Sequence, residues 1–389
     1  MTNMISRLKG LLPIIIISLL PTLLIWLPFF ARLKSLWGIP LPPGGMATIV
    51  ANYDGPLFMV VAKTFYNPEA IKNLFQFPLP VEYYAAHFPL FPILIKSLSF
   101  LLNLPYSMLT ITLASSFLAL YFFKKLAQEF VGSQNALWLT FIFAVLPARW
   151  LIVRSVGSAE PLFVAAIVAS VYYFRRKSYW LAGIWGALAQ LTKSPGILLF
   201  VAYFISIIYP ELKKLSVTPL NKWPEVLNLK KVYPISSIPL TLLVIFIIYQ
   251  IRLGDFLAYF HSGDNIHLFF LPFSIFNYSS PWVGTFWLEE VIFVYLLGLL
   301  GLFNLIKNKE SVMSWVTGLF LTSLFFVAHR DVIRYALPIV PFLIISYAPT
   351  LIRREFRIIV LLLIIPIYLF SLSYISQNVM PISNWAPFL

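Results

Sequence analysis

Apolar residues occur along this chain in long runs, and the short polar stretches between them carry most of the charges. A helix needs ~17 to 25 apolar residues to cross a bilayer core, and about eleven runs approach or reach that length. The pattern therefore predicts an all-α polytopic membrane protein. The predicted spans are Leu11–Phe30, Pro105–Phe123, Ala136–Val153, Pro161–Phe174, Tyr179–Leu191, Pro195–Tyr209, Ile235–Ile251, Leu288–Ile306, Val312–Ala328, Tyr335–Thr350 and Ile358–Ser373.

A further apolar piece, Phe88–Leu102, is interrupted by Pro89, Pro92 and Lys96, and the distribution of charge decides its placement. If it does not span, one membrane face carries 17 basic and 5 acidic residues, and the other carries 11 basic and 9 acidic residues. Because cytoplasmic loops accumulate Lys and Arg, the first face is predicted to be cytoplasmic. If the piece did span, this bias would collapse. We therefore predict a peripheral or re-entrant helix on the outer side.

Composition supports the same class of protein. The 389 residues are 60% hydrophobic and 11% charged, and the mean hydropathy is +0.87, which excludes soluble, disordered and coiled-coil proteins. A formal charge of +14 would suggest nucleic-acid binding in a soluble protein. Here it records orientation in the membrane, so no nucleic-acid partner is expected. The chain has no cysteine, which rules out disulfides, zinc–thiolate sites, iron–sulfur clusters and a thiol nucleophile.

The whole chain, residues 1–389, is predicted to form a single membrane domain. Its first run follows Arg7 and Lys9 as in a secretory signal, but no small-residue cleavage site follows, so a retained first helix is predicted. The N-terminus is expected in the cytoplasm and the C-terminus outside, in a cell membrane or, in a eukaryote, the endoplasmic reticulum. The predicted segments are a first outer loop with membrane-lying helices (31–103), central helices (104–251), an outer loop (252–287) and C-terminal helices (288–389).

Ionisable residues gather at one predicted level of the membrane. A charged side chain that faces lipid is unfavourable by a few kcal/mol, so each one is a candidate for a functional role. Because separate segments bring them to the outer ends of spans, they indicate a shared polar cavity at the outer surface. The residues at this level are Asp54, His87, Arg149, Arg154, Glu160, Lys193, His329, Arg330, Asp331 and Arg334.

Structural roles compete with functional ones for three of these residues. Asp54 precedes a run with helical spacing, so it is either a helix N-cap or a carboxylate that accepts a proton from a substrate hydroxyl. Glu160 follows Ser158 at the start of a span, where helix capping and substrate binding are both open. His87 opens a proline-rich turn and is either incidental to that turn or part of the cavity.

The basic residues are candidates for phosphate contacts. Arg330 and Arg334 are spaced i, i+4 and would share a helix face, and Lys193 lies in a polar break between two spans. Arginine and lysine are the donors that a phosphate at this level would require. The alternatives are an ion pair of Asp331 with a neighbouring arginine and a lysine that extends toward the lipid headgroups.

Two apparent motifs are discounted. The triplet at 329–331 spells His-Arg-Asp as in kinases, but no Gly-rich phosphate loop or soluble two-lobed domain accompanies it. His261, Asp264 and His267 could hold a metal, yet their spacing matches no recognised ligand pattern.

Five short motifs occur in a fixed order along the chain. They are Asp54-Gly55 with Phe58, Ala62 and Tyr66; His87-Phe88-Pro89-Leu90-Phe91-Pro92; Ser158-Ala159-Glu160-Pro161-Leu162-Phe163; Leu191-Thr192-Lys193-Ser194-Pro195-Gly196; and Arg334-Tyr335 before an apolar span. In order and in position relative to the spans, this series resembles the PIG-V-type mannosyltransferases of the GT-C glycosyltransferase superfamily. Tyr53 stands where that family usually has Trp, and Lys193 where Arg is common.

The resemblance implies a GT-C-like membrane enzyme that transfers a sugar, typically mannose, from a polyprenyl-phosphate donor to a glycan, lipid or protein acceptor on the outer side. The family's presumed catalytic base maps onto Asp54, which would take the acceptor proton while the acceptor oxygen attacks the anomeric carbon with inversion. With a monophosphate leaving group and several cations, no cofactor or obligatory metal is expected. Substrate contacts are expected from His87, Arg154, Glu160, Lys193, Arg330, Arg334 and Tyr335.

A transporter or flippase of lipid-linked sugars is the main alternative, because it too would place polar groups inside a multispanning bundle. The one-sided placement of the charges argues against it, since alternating access needs a polar path to both faces. A new glycosidic bond would distinguish the enzyme from the flippase.

Overall fold

A computed structural model of the chain describes residues 2–75, 79–215, 229–263, 267–277, 287–329 and 331–389. These residues form α-helices joined by short 3₁₀ turns, and one two-stranded hairpin. The helices are α1 (Thr2–Phe30), α2 (Met46–Val50), α3 (Gly55–Thr64), α4 (Pro68–Leu74), α5 (Leu90–Leu98), α6 (Leu104–Val145), α7 (Ala148–Val153), α8 (Glu160–Arg175), α9 (Tyr179–Thr192), α10 (Ile197–Leu215), α11 (Val232–Ile235), α12 (Ser237–Leu253), α13 (Trp287–Lys307), α14 (Ser311–Leu324), α15 (Val332–Ala336), α16 (Val340–Ser346), α17 (Ala348–Leu351) and α18 (Arg354–Gln377). The 3₁₀ turns are Val81–Ala86, Ser194–Gly196, Leu229–Lys231, Ser274–Phe276, Leu337–Ile339 and Ala386–Phe388, and the strands are β1 (Ser35–Leu36) and β2 (Ile39–Pro40).

Within the described residues, six helices are long and apolar enough to cross a membrane. They are Gly10–Phe30, Leu104–Val145, Ser194–Lys214, Val232–Leu253, Leu288–Lys307 and Arg354–Gln377. The all-α membrane fold is thus confirmed, whereas the predicted number of about eleven spans is not. Several predicted spans correspond to shorter helices, among them α8 with 16 residues, α9 with 14 and α14 with 14.

Two predicted spans lie within α6. This helix has 42 residues, but Gly132 interrupts it with φ 72° and ψ 175°. A positive φ is readily available only to glycine, so Gly132 lets the chain turn between two helical arms. The first arm contains the predicted span 105–123. The second begins the predicted span 136–153, which the structure ends at Val145, before the separate short helix α7.

Residues 31–103, predicted to form the first outer loop, contain only short helices in their described part. Helix α5 has nine residues, about 13 Å at the rise of an α-helix, whereas a bilayer core is ~30 Å thick. It is therefore too short to span, and it packs against α3 and α6. The hairpin β1–β2 lies earlier in the same loop, and its turn residues Trp37 and Gly38 both have positive φ.

Helix α8 occupies the centre of the bundle. It packs against α6 on one side and α9 on the other, and the residues from Val164 to Val171 are fully buried. A helix enclosed on every side needs no polar face, so α8 is apolar around its whole circumference. Its two ends are charged, with Glu160 at the start and Arg175 at the end.

These two ends define two polar levels in the molecule. At the C-terminal end of α8, Arg175 forms salt bridges with Glu310 and with Glu129, the latter at 3.4 Å. Arg357 donates to Asn135 at 2.9 Å near the start of α18. The N-terminal end of α8 belongs to the other level, where the first outer loop and the end of α18 meet.

Candidate active site

The guanidinium of Arg334 joins two carboxylates at the outer level. Its Nη2 donates to Oδ2 of Asp54 at 2.9 Å, and its Nε donates to Oε1 of Glu160 at 2.6 Å. These residues come from α15, the start of α3 and the start of α8, so three distant segments meet at one side chain. The guanidinium carbon also lies 4.4 Å from the centre of the Tyr53 ring, which is a cation–π contact.

Asp54 occupies the N-cap position of α3, but its side chain makes no capping hydrogen bond. Its carboxylate binds Arg334 and keeps 38% of its surface exposed. Burial opposes ionisation of Asp54, but the charge and hydrogen bond of Arg334 outweigh it and hold the pKa below its ordinary value. Asp54 is therefore an ionised, accessible carboxylate rather than a helix cap.

The backbone around Asp54 is tightly constrained. Tyr53 has φ 49°, a left-handed conformation that is unfavourable for a residue with a bulky side chain. At Gly55, an added Cβ would lie 2.6 Å from the backbone oxygen of Val50 and 3.2 Å from that of Gly157. A side chain larger than hydrogen thus does not fit at position 55, which explains why Asp54 is followed by glycine.

Glu160 is a buried hub rather than an open ligand. Only 4% of its side chain is exposed, and besides Arg334 it binds Lys193, whose Nζ lies 2.6 Å from the same Oε1. The hydroxyl of Ser158 donates to its other oxygen, Oε2. Because a buried carboxylate is stable only when its charge is neutralised and its oxygens are hydrogen-bonded, these contacts fix Glu160 as an anchor for both cations.

A second ion pair lies beside the first and was not among the predicted substrate contacts. Nε of Arg149 lies 2.9 Å from Oδ1 of Asp331, and both side chains are at most 7% exposed. Arg149 also donates to the Tyr53 hydroxyl at 3.1 Å and lies 3.8 Å from the centre of the Tyr374 ring. The sequence placed Arg149 and Asp331 at the outer level, but it gave no sign that they pair with each other.

These residues line a cavity of about 540 Å³. Its polar wall consists of Asp54, Arg334, Arg149, Asp331 and His329, and its aromatic wall of Tyr53 and Tyr374. The remaining wall is the end of α18 and the following residues, 377–380. Charges of both signs face a common space, so the cavity can bind an anion and can also accept a proton.

Residues 378–380 are fixed to the loop that carries Asp54. The backbone N–H of Met380 donates to the carbonyl of Ala51 at 2.7 Å. Asn52 donates to the carbonyl of Ile375 at 2.8 Å and accepts from the side chain of Asn378 at 3.2 Å. The segment after α18 and the Asp54 loop therefore form one continuous side of the cavity.

His87 lies behind the cavity rather than on its surface. Its ring is 4% exposed and packs edge-on against Phe58, with centroids 4.9 Å apart. Its carbonyl accepts a hydrogen bond of 2.6 Å from Tyr66. Burial lowers the pKa of His87, although the nearby charge of Asp54 opposes this effect. His87 is therefore placed as a neutral neighbour of Asp54, not as a cavity-lining group.

Arg154 does not lie at the cavity, contrary to the role expected from the sequence. It is fully buried, and its guanidinium donates to the carbonyl of Ala144 at 2.7 Å and to the carbonyl of Ser18. These contacts tie α1 to the end of α6. Backbone carbonyls thus supply the hydrogen-bond partners that the buried Arg154 side chain needs. Its burial is explained without any contact to a substrate.

The other predicted residues are partly accounted for. Tyr335 follows Arg334 on α15, and its ring meets the His329 ring edge to face, with centroids 5.7 Å apart. Arg330 lies outside the described residues, as does Asp264 of the discounted metal set.

The two histidines of that set lie apart from each other in their contacts. His261 pairs with Asp255 at 2.6 Å, and His267 packs against His329 with ring centres 4.3 Å apart. Among the residues that the structure describes, no group of three or more acidic or histidine side chains could hold a metal ion.

No protein-family model matches this chain, and no curated protein matches it. Solved structures do. ArnT from Cupriavidus metallidurans, in a structure bound to undecaprenyl phosphate, is 12% identical, with a TM-score of 0.51 over 93% of this chain and 74% of ArnT. An oligosaccharyltransferase from Archaeoglobus fulgidus is 13% identical, with a TM-score of 0.49, in its apo form and in complex with zinc and sulfate. The match to the apo oligosaccharyltransferase covers 95% of this chain but only 57% of the oligosaccharyltransferase.

The likeness to ArnT concerns the fold alone. The chain shares the helical membrane fold of ArnT. At 12% identity the ArnT match does not transfer a substrate or a reaction. The assignment to PIG-V-type mannosyltransferases has no match of its own and stays a prediction.

Proposed function

We propose that this protein is a membrane glycosyltransferase that transfers a sugar from a polyprenyl-phosphate donor to an acceptor, with Asp54 as the general base. The observation that carries the proposal is the accessible Asp54 carboxylate in the cavity, held by Arg334 and making no capping bond. Glu160 is not among the residues that line the cavity, whereas Asp54 is. Of the two carboxylates that Arg334 joins, only Asp54 is thus suited to accept a proton from a bound hydroxyl.

The reaction requires a base and an anion site at the same place. The acceptor O–H would lose its proton to Asp54, while the acceptor oxygen forms a bond to the anomeric carbon. The bond between that carbon and the phosphate oxygen breaks, and the phosphate leaves with the electron pair. In-line displacement of this kind inverts the configuration at the anomeric carbon.

Arg334 couples the two halves of this reaction. A phosphate that binds Arg334 would share a guanidinium that now serves Asp54 at 2.9 Å. Weakening of that ion pair would raise the pKa of Asp54 toward its ordinary value, because burial already favours the protonated acid. Donor binding would thereby make Asp54 a stronger base. Arg149 adds a second positive charge on the leaving-group side, and Lys193 acts through Glu160.

Further support comes from the fold and from the sequence. The chain shares its fold with ArnT, whose structure contains undecaprenyl phosphate, and polyprenyl phosphate is the donor lipid that the sequence resemblance implies. Mannose is the sugar suggested by that resemblance. From the charge bias of the loops we infer that the cavity faces the extracytoplasmic side of a cell membrane.

The test is transfer by the purified protein from polyprenyl-phospho-mannose to a mixed acceptor extract, with donor binding measured in parallel. We expect Asp54→Asn to bind the donor but to transfer at least ~100-fold more slowly than the wild type. Glu129→Asn, an acidic-to-amide change at the opposite end of the molecule, is the control and should transfer normally. Full activity of Asp54→Asn would contradict the assignment of the base.

The flippase alternative gives a different result in the same experiment. A flippase would change the sidedness of a labelled lipid-linked sugar in proteoliposomes without forming a new glycosidic bond. Sidedness change without transfer, tested with several donor sugars, would overturn the proposed function.

A further inference from the structure

A second cavity of about 450 Å³ lies next to the one that holds Asp54. One side is residues 38–42, from the turn of the β1–β2 hairpin onward, which include Ile39, Pro40, Leu41 and Pro42. The other side is the last turn of α18, with Ser373, Ser376 and Gln377. We call this space the hairpin groove. Its hairpin side is almost wholly apolar, so it suits a hydrocarbon chain better than a polar ligand.

The hairpin groove lies where a lipid could enter it. Trp37, at the tip of the hairpin, is 74% exposed, and Phe30 at the end of α1 is 76% exposed. Tryptophan is enriched where membrane proteins meet the lipid headgroups. Helix α18, which forms the other side, is itself one of the helices able to cross a membrane. An exposed tryptophan beside the end of a helix able to span is the arrangement expected for a groove at the membrane interface.

The hairpin groove and the Asp54 cavity are separated only by the last turn of α18. Tyr374 lines the cavity, Ser373 and Ser376 line the groove, and Gln377 lines both. Residues three or four positions apart share a helix face, so this turn forms a ridge with one space on each side. A ligand that passes over Gln377 would occupy both spaces at once.

Arg149 contacts this ridge and also lines the Asp54 cavity. Its guanidinium carbon lies 3.8 Å from the centre of the Tyr374 ring, whereas Arg334 is shared by Asp54 and Glu160. Among the described residues, Arg149 has a single carboxylate partner, Asp331. A negatively charged group that crosses the ridge into the cavity would therefore come within reach of Arg149, and a guanidinium can bind a phosphate while it keeps one carboxylate contact.

We propose that the hairpin groove binds the phosphate-proximal isoprene units of the polyprenyl donor, whose phosphate then crosses Gln377 and binds Arg149. This inference rests on the proposed function, because it names the place of the donor lipid in that site. It places the lipid chain against α18 and the hairpin, and leaves the opposite side of the Asp54 cavity to the acceptor.

The first test uses the unaltered protein. Undecaprenyl phosphate with a diazirine in the isoprene unit next to the phosphate is photo-crosslinked to the protein in nanodiscs, and the labelled peptides are identified by mass spectrometry. We expect labelling within 36–42 and 373–377, reduced by unlabelled undecaprenyl phosphate and not by phosphatidylglycerol. Labelling elsewhere, or equal competition by the phospholipid, would overturn the proposal.

The second test fills the groove. Ser373→Trp should raise the KM for a long-chain polyprenyl-phospho-sugar by about 10-fold, while the KM for a short water-soluble donor and for the acceptor stays unchanged. Leu363→Trp is the control, because it adds the same side chain on a distant part of α18 that is 43% exposed. It should behave as the wild type.

The outcomes separate this inference from the proposed function. A Ser373→Trp effect on the acceptor KM instead of the donor KM would assign the groove to a lipid acceptor and overturn the proposal. Crosslinking at the two segments without transfer to any acceptor would support the groove and count against the transferase. Transfer with crosslinking only outside the two segments would support the transferase and refute the groove.

Discussion

Asp54 and Arg334 are 280 positions apart in the chain and form a salt bridge of 2.9 Å on the wall of the cavity. Arg334 reaches this position because Glu160, at the start of the central helix α8, holds its Nε at 2.6 Å. The buried carboxylate of Glu160 thus holds Arg334, and Arg334 in turn orients the accessible carboxylate of Asp54. Glu160 and Arg334 act as the support, and the Asp54 carboxylate remains exposed to the cavity.

The planar shape of Arg334 is essential to this role. Arg334→Lys keeps the charge, but an ammonium group cannot present two donors in the fixed fork that reaches both carboxylates. We expect kcat for sugar transfer to fall roughly 10²- to 10³-fold, the range for loss of one oriented donor in an active site. Steady-state kinetics with a labelled donor would measure it.

Arg176→Lys is the matched control, since Arg176 is 57% exposed at the opposite end of the molecule. It should transfer at the wild-type rate. Equal activity of Arg334→Lys and Arg176→Lys would show that the fork geometry of Arg334 has no part in catalysis.

With Asp54 as the proposed base, the acid limb of the pH–rate profile should report the ionisation of its carboxyl group. Because Arg334 holds the pKa of Asp54 below its ordinary value, kcat/KM should stay constant down to unusually low pH in the wild type. The contribution of the ionised Asp54 to folding stability is fully present above the ordinary carboxyl pKa and is lost as the pH falls toward the lowered pKa of the folded state. In Arg334→Gln the cation is gone and burial alone shifts the pKa of Asp54 upward, so the acid limb should move to higher pH. An unmoved limb would mean that another group titrates.

Glu160 should contribute to stability more than to the chemistry. Glu160→Gln removes the carboxylate charge that Arg334 and Lys193 share, while Arg334 keeps Asp54 and Lys193 is 30% exposed. Breaking a fully buried ion pair is destabilising by about 3 to 5 kcal/mol, which is the upper limit for this change. A fall in the melting temperature in detergent would measure this loss. Glu129→Gln removes a carboxylate that is 28% exposed, for which an effect below about 1 kcal/mol is expected. Similar melting temperatures for the two variants would contradict the buried-hub interpretation.

The sequence predicted the class of fold and the gathering of charges at one polar level because both depend on local pattern. Apolar runs define helices wherever they are long, and charges in such runs must gather at a common polar place. The number of about eleven spans is not confirmed. Helices α8 and α9 are as apolar as the helices able to span, yet they are only 16 and 14 residues long, so hydropathy alone does not separate a span from a short buried helix.

The pairing of the charges could not be predicted in the same way. Arg149 and Arg154 are five residues apart at the ends of the same short helix, yet one lines the cavity and the other is buried against α1. The direction in which a side chain points from a short helix changes with each residue along it. The sequence pattern does not show which of the two arginines points into the cavity. Asp54, which the resemblance singled out, lines the cavity. Arg149 also lines it but belongs to none of the five motifs.

Gly55 should tolerate no side chain. In Gly55→Ala the added carbon would lie 2.6 Å from the carbonyl oxygen of Val50, a backbone atom that cannot rotate away. The Asp54 loop must then shift, and we expect a stability loss of about 1 to 3 kcal/mol with a larger loss of transfer activity. Gly318→Ala is the control, because its added carbon would lie 3.7 Å from Leu302 in ordinary contact. A fully active Gly55→Ala would show that the loop is looser than this packing implies.

Asn52 links the Asp54 loop to the end of α18, and its loss should uncouple the two. The side chain is fully buried, donates to the carbonyl of Ile375 at 2.8 Å and accepts from Asn378 at 3.2 Å. Asn52→Ala leaves a buried carbonyl with one donor fewer, which is unfavourable by about 1 to 3 kcal/mol. Because Tyr53 and Asp54 follow directly, transfer should fall more than stability alone explains. Asn135→Ala is the control, because it removes one contact to Arg357 at the opposite end of the molecule. It should lose stability without an additional loss of transfer activity. Equal losses of activity in the two variants, compared at equal stability, would refute the proposed coupling of the Asp54 loop to the end of α18.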